Sequence, residues 1–597
     1  MPGIRVILLL LVTFFYSSTL FAELDKTRYI ALEEIEPGME GYALSVYEGT
    51  LIEKFPIKVI SIVKDYKPGN DAIFVMGINE RFEHTGPVQG CSGSPVILDG
   101  RIAGALAFGW GFVKDPLYGV TPIAEMLEIS ERQEAIGQNA PKIKLNTKEL
   151  DFSRICKDVA GFITEQNQQG PMGLRPLDVP VISSFSSKVC SQMENLCNIK
   201  IFSGTSAGQA INTTPGSCVP NFEAGSVICI PMVDGDIKMA ATGTVTDVVG
   251  NKVYAFGHAF EAAGKAELPM SCGLIHMVVA NQISSFKVGQ STQTVGTITT
   301  DASTGIHGII GKNPPLIPFK ITVDRNDNPE TEIYNCTLAK HDMYTPYLIQ
   351  AAIAGAALSQ GDVPAEHTVE YSCNIAIDGF DDITFSNTSS GQSIGDAIFE
   401  TAGPVAALMN NPFKKIAVKN IDFSIDIKEG ESLADITLVK TNDTKVKPGQ
   451  SIDMEIFTEK RYLPEKSYKA TLEIPSDITP GRYQIVISGS ELYQNFINSS
   501  RQYETMINDA SSLVEVMRKK LQQPKAGLYI FMRTTQNGIS IGKSPLEGLP
   551  SSKTKTLASP KRNYRIAPIF NWIETQVDTN DIIMGQHQIN ILVEEEL

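Results

Sequence analysis

Residues 35 to about 129 form a succession of short apolar runs separated by Gly, Pro and Asn, and this pattern restricts the chain more than any other. The runs include "FPIKVISIV", "DAIFVMG" and "RIAGALAFGW". Short runs rich in β-branched and aromatic residues, bounded by turn residues, are typical of strands in a barrel or sandwich. Only the end of the region, residues 122–132, has a helical pattern. We therefore predict an all-β unit over residues 23–132.

A second strand-rich region extends from residue 224 to 323. It contains two Gly-bearing turns between apolar runs, "VDGD" and "VVGNKV", which are typical of β-hairpins. We predict a second barrel over residues 200–325. The intervening residues 133–199 are more polar and include "EQNQQGPMGLRP", which indicates a linker segment.

The chain has 597 residues, enough for several structural units. Alanine-rich stretches near residues 344–358 and 396–409 predict helices in a mixed α/β segment over 326–410. Alternating strands and Pro-Gly turns predict an immunoglobulin-like β-sandwich over 411–495. The remainder, 496–597, begins with a predicted amphipathic helix at 501–522. The predicted fold class is mainly β, with two barrels, an α/β segment and a sandwich.

The N-terminus has the pattern of a secretory signal peptide over residues 1–22. Arg5 precedes an apolar core from Val6 to Tyr16, and small residues lead to a cleavage site after Ala22. A membrane anchor is the alternative, but the apolar run is shorter than the ~20 residues that a span needs. We expect a secreted or periplasmic protein with no membrane span after signal cleavage.

Net charge and cysteine content restrict the kinds of partner and cofactor that we expect. The net charge of -16 argues against a nucleic-acid surface, which needs clustered Lys and Arg. No CxxC pair or His-Cys cluster with zinc spacing occurs, so we expect no structural metal and no cofactor. Export permits disulfides among the nine cysteines; local Cys190/Cys197 and Cys218/Cys229 bridges are open alternatives.

The segment "GCSGSP" at residues 90–95 is the strongest candidate for chemistry. A serine nucleophile needs an exposed position, a base and an oxyanion hole. Gly90 and Gly93 have no side chain that could block the approach of a substrate to the serine. The backbone N–H groups of Gly90 and Ser92 would form the oxyanion hole. This predicts Ser92 as nucleophile. The alternative is a tight turn between strands, since Gly, Ser and Pro are common turn residues.

Two strings, "TGPVQGCSGSPVILDGRIAGALAFGWGFVKDPLYGVTPIAEML" and "AATGTVTDVVGNKVYAFGHAF", resemble the SpoIVB-type serine peptidase family. In that family a GMSGSP motif carries the nucleophilic serine and a GHG-like motif carries the base histidine, on a trypsin-like double β-barrel. The resemblance implies that Ser92 is the nucleophile and His258 the base. The motif order is permuted here, because the serine motif precedes the histidine motif.

Other side chains compete for the remaining roles. His84 and His276 are the competing histidines, and Cys91 the competing nucleophile; the family pattern points Cys91 away from the cleft. The family has an acidic residue before its serine, but "GINERFEHTG" holds no Asp. The acids that could orient His258 are Asp71, Asp99, Asp115 and Asp247. We select Asp71, because Asp99 and Asp247 lie near predicted hairpin turns, where Asp has a turn role.

Two functions follow from these predictions. The first is an exported serine endopeptidase of the SpoIVB type, acting on protein or peptide substrates, with an envelope protein partner bound through the C-terminal half. The second is a non-catalytic envelope binding or scaffold protein that retains the peptidase fold, since a fold does not guarantee chemistry.

Overall fold

The structure is a computed structural model that describes residues 24–110, 113–130, 150–166, 174–177, 179–197, 201–204, 222–261, 264–326, 328–391, 394–461, 463–557 and 566–594. The predicted signal peptide, residues 1–22, lies outside these residues. None of the helices in these ranges is long and apolar enough to cross a membrane.

The first barrel is a closed ring of six antiparallel strands. Its elements, after a 3₁₀ turn at Leu32–Glu34, are β1 (Glu40–Val46), β2 (Ile52–Lys67), β3 (Asn70–Gly77), α1 (Glu80–Thr85), β4 (Val88–Gln89), β5 (Pro95–Leu98), β6 (Arg101–Trp110), β7 (Leu117–Pro122) and α2 (Ile123–Leu127), with a 3₁₀ turn at Glu128–Ser130. The ring order is β1-β2-β3-β7-β6-β5, and β5 closes it by pairing with β1. The apolar residues of the runs fill its interior, among them Phe55, Ile73 and Leu106.

The segment predicted as a linker is built into the fold. Its described elements are α3 (Phe152–Gln166), β8 (Leu174–Pro176), β9 (Val181–Ser183), α4 (Ser187–Cys197) and β10 (Ile201–Ser203). Strand β8 adds to the edge of β6 in the first barrel. Strand β9 pairs with β10 and with a strand of the second barrel. The segment therefore joins the two barrels through strand pairing, which its polar sequence does not indicate.

The second barrel is also a closed ring of six strands. They are β11 (Val227–Gly235), β12 (Met239–Val249), β13 (Lys252–Ala255), β14 (Gly264–Val279), β15 (Ser285–Ala302) and β16 (Gly305–Ile310). The ring order is β11-β12-β13-β16-β15-β14, and β14 pairs with β11 to close it. Strand β4 of the first region pairs in parallel with β15. The mainly β fold with closed six-stranded barrels confirms the predicted trypsin-like class.

The second barrel continues into a larger sheet. The added elements are β17 (Leu316–Arg325), β18 (Asn328–Ala339), α5 (Tyr344–Ala357), β19 (His367–Ile377), β20 (Ile383–Gly391), α6 (Gly395–Met409) and β21 (Val418–Glu429). Strand β18 pairs with β11, and β17 pairs with β21. This continuity removes the predicted boundaries near residues 325 and 410. Nearly all of α5 is buried, as its alanine-rich sequence requires.

The C-terminal sandwich is larger than the predicted 411–495 unit. It comprises β22 (Leu433–Thr441), β23 (Lys445–Val446), β24 (Ser451–Glu459), β25 (Lys466–Glu473), β26 (Gly481–Ser488), α7 (Ser490–Ser500), a 3₁₀ turn (Gln502–Thr505), α8 (Ala510–Leu521), β27 (Leu528–Ile541), β28 (Ser544–Glu547), α9 (Ser551–Leu557), β29 (Ile566–Val577), β30 (Ile582–Met584) and β31 (Gln586–Val593). One sheet takes β30 from the C-terminal region, and the other takes β27 and β31. The two sheets share one core. Asp509 caps α8, so the predicted helix at 501–522 begins later, at Ala510.

Cys190 and Cys229 are free, buried thiols. The side chains of Cys197 and Cys218, their candidate partners, lie outside the described residues.

Candidate active site

The loop between β4 and β5 carries Ser92 and needs glycine on both sides. Gly90 and Gly93 each have φ +92°, a region that residues with a Cβ rarely adopt. A Cβ on Gly93 would lie 2.0 Å from the Thr244 carbonyl oxygen. The glycines of "GCSGSP" therefore permit a sharp turn and a close approach to the second barrel.

Strand β12 of the second barrel holds this loop in place. The Thr244 N–H donates to the Ser92 carbonyl at 2.9 Å, and the Thr244 hydroxyl donates to the Gly90 carbonyl at 2.9 Å. The Thr246 hydroxyl donates to the Gly93 carbonyl at 2.8 Å. Three carbonyls of the serine loop are thus satisfied by the opposite barrel, which fixes the loop at the junction.

His258 follows β13 after an unusual turn. Phe256 has φ +70° and Gly257 has φ +71°. A buried aromatic residue with positive φ is a strained backbone position, and such positions cluster at functional sites. A Cβ on Gly257 would lie 2.9 Å from the Ala105 Cβ in the first barrel. The turn therefore brings the imidazole against the first barrel.

The structure brings Ser92 and His258 together. The Ser92 hydroxyl is hydrogen-bonded to His258 Nε2, across 166 residues of chain. His258 Nδ1 lies 2.6 Å from the Ala259 carbonyl, and because a carbonyl only accepts, Nδ1 carries the proton. In the neutral ring Nε2 is then the acceptor and Ser92 the donor. The Phe256 carbonyl, 2.9 Å from the Ser92 oxygen, is a second acceptor for the same hydroxyl proton.

Burial keeps His258 neutral. Removal from water lowers the pKa of the imidazole from 6.5 to about 4. The carbonyls of Ala259 and Leu177 oppose this shift, and Lys67 adds to it. At neutral pH the ring is therefore an unprotonated base, the form that can take a proton from a serine hydroxyl.

The structure does not bring Asp71 to His258. The Asp71 carboxylate accepts the Asp65 N–H at 2.8 Å in the β2–β3 turn, and the Asp71 N–H donates to Glu125. The Nδ1 atom that Asp71 was predicted to orient has the Ala259 carbonyl as its acceptor instead. A backbone carbonyl of the adjacent residue cannot be foreseen from motif spacing.

The other candidate acids also have structural partners. Asp247 is buried, accepts the Tyr29 hydroxyl at 2.6 Å and pairs with Arg28. Asp99 has φ +49° in the β5–β6 turn and pairs with Arg101 at 3.3 Å. Asp115 is exposed. The position of Asp99 agrees with its predicted turn role, whereas Asp247 lies within β12 and binds residues near the N-terminus instead.

Sequence reasoning missed Asp301, which supports the histidine loop. Its carboxylate accepts the N–H groups of Phe260 and Glu261, both at 2.7 Å. These residues directly follow Ala259, so Asp301 fixes the carbonyl that orients His258. Asp301 is buried at the end of β15, 43 residues after His258, in a stretch with no motif to reveal it.

The competing nucleophile and histidines lie elsewhere. The Cys91 thiol points into the first barrel, within 3.7 Å of the Ser45 and Tyr47 hydroxyls. His84 lies on α1 and is exposed, and the exposed His276 pairs with Gln290 at 2.9 Å. None of these three contacts the Ser92 hydroxyl.

A buried lysine lies behind the serine loop. Lys287 has no exposed surface, and its ammonium donates to the Ser45 hydroxyl at 2.8 Å. Its aliphatic carbons come within 3.1 to 3.3 Å of where a Cβ on Gly90 would lie. Burial lowers the pKa of Lys287. Sequence reasoning did not single out this residue.

The site is closed to solvent. Ser92 is 0% exposed and His258 3% exposed. The Ser92 N–H, one of the two predicted oxyanion donors, donates to no acceptor among the residues that the structure describes. Leu177, which directly follows β8, is itself buried, and its backbone carbonyl is hydrogen-bonded to the His258 ring, which raises the pKa of the imidazole.

Two six-stranded barrels with a buried serine–histidine pair at their junction define a protein of the trypsin-like structural class. Residues 19–127 match the family model described as SpoIVB peptidase S55. This match supports the resemblance to that peptidase family seen in the sequence, and it covers Ser92 but not His258. No curated protein and no solved structure matches the chain.

Proposed function

We propose that this protein is an exported serine endopeptidase of the SpoIVB type. The observation that carries the proposal is the hydrogen bond from the Ser92 hydroxyl to the unprotonated Nε2 of His258. This bond lies at the barrel junction, and its serine lies in the segment matched to the peptidase family.

The mechanism follows from the geometry of the pair. Ser92 attacks the peptide carbonyl while His258 Nε2 takes the hydroxyl proton, and the resulting imidazolium gives that proton to the departing amine. The Ala259 carbonyl holds the Nδ1 proton throughout and so fixes the tautomer. The N–H groups of Gly90 and Ser92 stabilise the oxyanion. A water molecule then attacks the acyl-enzyme while His258 Nε2 takes its proton, and His258 returns that proton to the departing Ser92 oxygen.

Labelling with a fluorophosphonate probe tests this proposal on the mature chain, residues 23–597. We expect slow labelling that disappears in Ser92→Ala and in His258→Ala. Ser94→Ala is the matched control: Ser94 is another buried serine of the same loop, bonded to Ser45 at 2.9 Å, and its loss should leave labelling intact. A folded wild type that is never labelled, alone or with Leu177 truncated, would refute the proposal.

The scaffold function is the second candidate, and one observation favours it. Ser92 is completely buried, as a serine retained only for packing would be. The same labelling experiment separates the two functions, because a scaffold has no activated serine to expose when the site opens.

Export is part of the proposal and rests on the N-terminal pattern of Arg5, an apolar core and Ala22. Mass spectrometry of protein recovered outside the cytoplasm should find a chain that begins at Glu23. The envelope partner of the C-terminal half is a proposal of the same kind. Its support is that the strands within residues 433–593 form a sandwich with its own core, apart from the serine–histidine pair.

A further inference from the structure

The edge of β6 is occupied by another part of the same chain. Residues 174–177, which we name the edge segment, lie antiparallel to β6, with Pro176 opposite Phe108 and Leu174 opposite Trp110. The Leu177 N–H donates to the Ala107 carbonyl at 2.8 Å. The contact is a strand added to an exposed sheet edge, the way many proteins bind extended peptides.

Along β6, the edge segment lies next to the serine loop. On β6, Leu106 exchanges backbone hydrogen bonds with Gly93 and Ser94, at 2.8 and 2.9 Å. The next residue of β6, Ala107, binds Leu177. Because the two strands are antiparallel, the edge segment runs from Leu174 toward the serine loop.

This direction brings the Leu177 carbonyl to the histidine. A hydrogen bond to that carbonyl raises the pKa of the His258 ring. A peptide substrate of a serine peptidase must present its scissile carbonyl between nucleophile and base. The edge segment therefore runs toward the pair with the polarity of the acyl side of a substrate.

The Leu177 side chain fills an apolar recess. It is 5% exposed and packs with the core of the first barrel. One of its methyl groups would lie 3.1 Å from a Cβ on Gly109, so the glycine makes room for it. Pro87 lines the same recess. A cleft of about 190 Å³ adjoins the edge segment and leaves space beside it.

We propose that residues Ala107–Trp110 of β6 are the substrate-binding edge, and that the edge segment occupies it as an internal substitute for substrate. The substrate is then an extended peptide with a medium-sized aliphatic residue, such as leucine, immediately before the scissile bond. This inference rests on the proposed function for its chemistry, but the binding edge can be tested without catalysis.

The test uses the mature chain in a Ser92→Ala background, so that no reaction occurs. Leu177→Asp removes the apolar anchor of the edge segment. Leu51→Asp is the matched control, the same change at a position of the same barrel that is 70% exposed. Fluorescence polarisation measures binding of two labelled peptides, Leu-Arg-Pro-Leu and Leu-Arg-Pro-Asp. Leu177→Ala replaces Leu177→Asp if circular dichroism shows that the aspartate variant does not fold.

We expect the Leu177 variant to bind Leu-Arg-Pro-Leu about tenfold or more tightly than Leu-Arg-Pro-Asp, since the recess accepts an apolar side chain. The Leu51→Asp control should bind either peptide about as weakly as its parent. A folded Leu177 variant that binds neither peptide, or binds both equally, overturns the inference.

Fluorophosphonate labelling of the same variants with Ser92 intact separates this inference from the proposed function. Selective peptide binding without labelling of any variant would sustain the binding edge and refute the peptidase. Ser92-dependent labelling at the same rate with and without Leu177 would sustain the peptidase and overturn the edge segment as its occupant.

Discussion

The hydroxyl of Thr121 donates a hydrogen bond of 2.5 Å to the carbonyl of Gly257. Thr121 is buried on the last strand of the first barrel, and Gly257 immediately precedes His258 in the second. The bond joins the two barrels one residue away from the serine–histidine pair. It is also one of the few side-chain contacts that hold the strained turn of Phe256 and Gly257.

Replacing this threonine tests whether the junction sets the site geometry. Thr121→Val keeps the volume but leaves the Gly257 carbonyl without this donor, which costs about 1–3 kcal/mol of unfolding free energy. We expect a lower urea midpoint and slower fluorophosphonate labelling. Thr121→Ser, which keeps the hydroxyl, should retain most of the labelling rate. Equal labelling of the valine variant and the wild type would contradict this role.

Asp301 should matter more for reactivity than Asp71. Asp301→Asn can accept only one of the two N–H groups of Phe260 and Glu261, so the Ala259 carbonyl shifts away from His258 Nδ1. We expect labelling to fall about tenfold, less than the roughly 10²–10⁴-fold that a general base contributes, because His258 itself remains. The pH at which labelling is half-maximal should move downward, because the Ala259 carbonyl raises the pKa of His258. Asp71→Asn, the matched control, keeps the oxygen that accepts the Asp65 N–H and should behave as wild type. The opposite pattern would restore Asp71 as the triad acid.

The labelling rate should persist to unusually low pH. The reaction needs neutral His258, and burial lowers its pKa from 6.5 to about 4. The rate should therefore be level from pH 7.5 to 5.5 and lose half its value near pH 4. Leu177→Ala weakens the packing that holds the edge segment beside the ring. We expect this to admit water, relieve part of the desolvation and move the midpoint upward, toward 6.5. A wild-type midpoint near 6.5 would contradict the closed site.

Lys287 should be replaceable by an apolar side chain of similar length. Lys287→Met removes a buried ammonium but retains the packing under Gly90, and such exchanges are often neutral or stabilising. Lys287→Ala leaves a cavity in addition, which costs roughly 2–5 kcal/mol for large-to-small changes in cores. Urea unfolding should therefore show the methionine variant well above the alanine variant. Equal destabilisation by both would mean that the charge itself holds the loop.

In the sandwich, Asp581 depends on Lys460. The carboxylate is buried and pairs with the Lys460 ammonium, while Lys466 lies farther away, at 3.6 Å, and is half exposed. Lys460→Met leaves a buried charge poorly compensated and should cost about 3–5 kcal/mol. Lys466→Met, the control, should cost less than about 1 kcal/mol. Calorimetry would measure both, and comparable losses would contradict this ranking.

The sequence predicts the barrels and the serine loop because both leave local signals. Strand periodicity and turn residues mark the two rings, and glycines mark the serine loop where φ is positive. The pairing of Ser92 with His258 came from a resemblance to a family, because no local pattern links residues so far apart. The sequence does not reveal that strands distant in the chain, such as β17 and β21, pair in one sheet across the predicted domain boundaries.

The supporting residues were not predictable for a related reason. Asp301, Lys287 and Leu177 act through tertiary contacts, and each lies in a stretch whose composition is ordinary for a strand or loop. The Ala259 carbonyl has no sequence signal at all, since every residue has one. The sequence favours Asp71 because it has no evident turn role, yet its carboxylate accepts the Asp65 N–H beside the β2–β3 turn.

The first barrel supplies Ser92 and the second supplies His258, so the two residues come together in a fixed order during synthesis. A ribosome releases the first ring, with Ser92, well before residue 258 has been made. Until the second ring closes, Ser92 lacks its hydrogen-bond partner His258, and the loop that carries it lacks the strand β12 that satisfies its carbonyls. If the proposed peptidase mechanism holds, a nascent or truncated chain is chemically inert, and activity arises only when the later ring docks onto the earlier one.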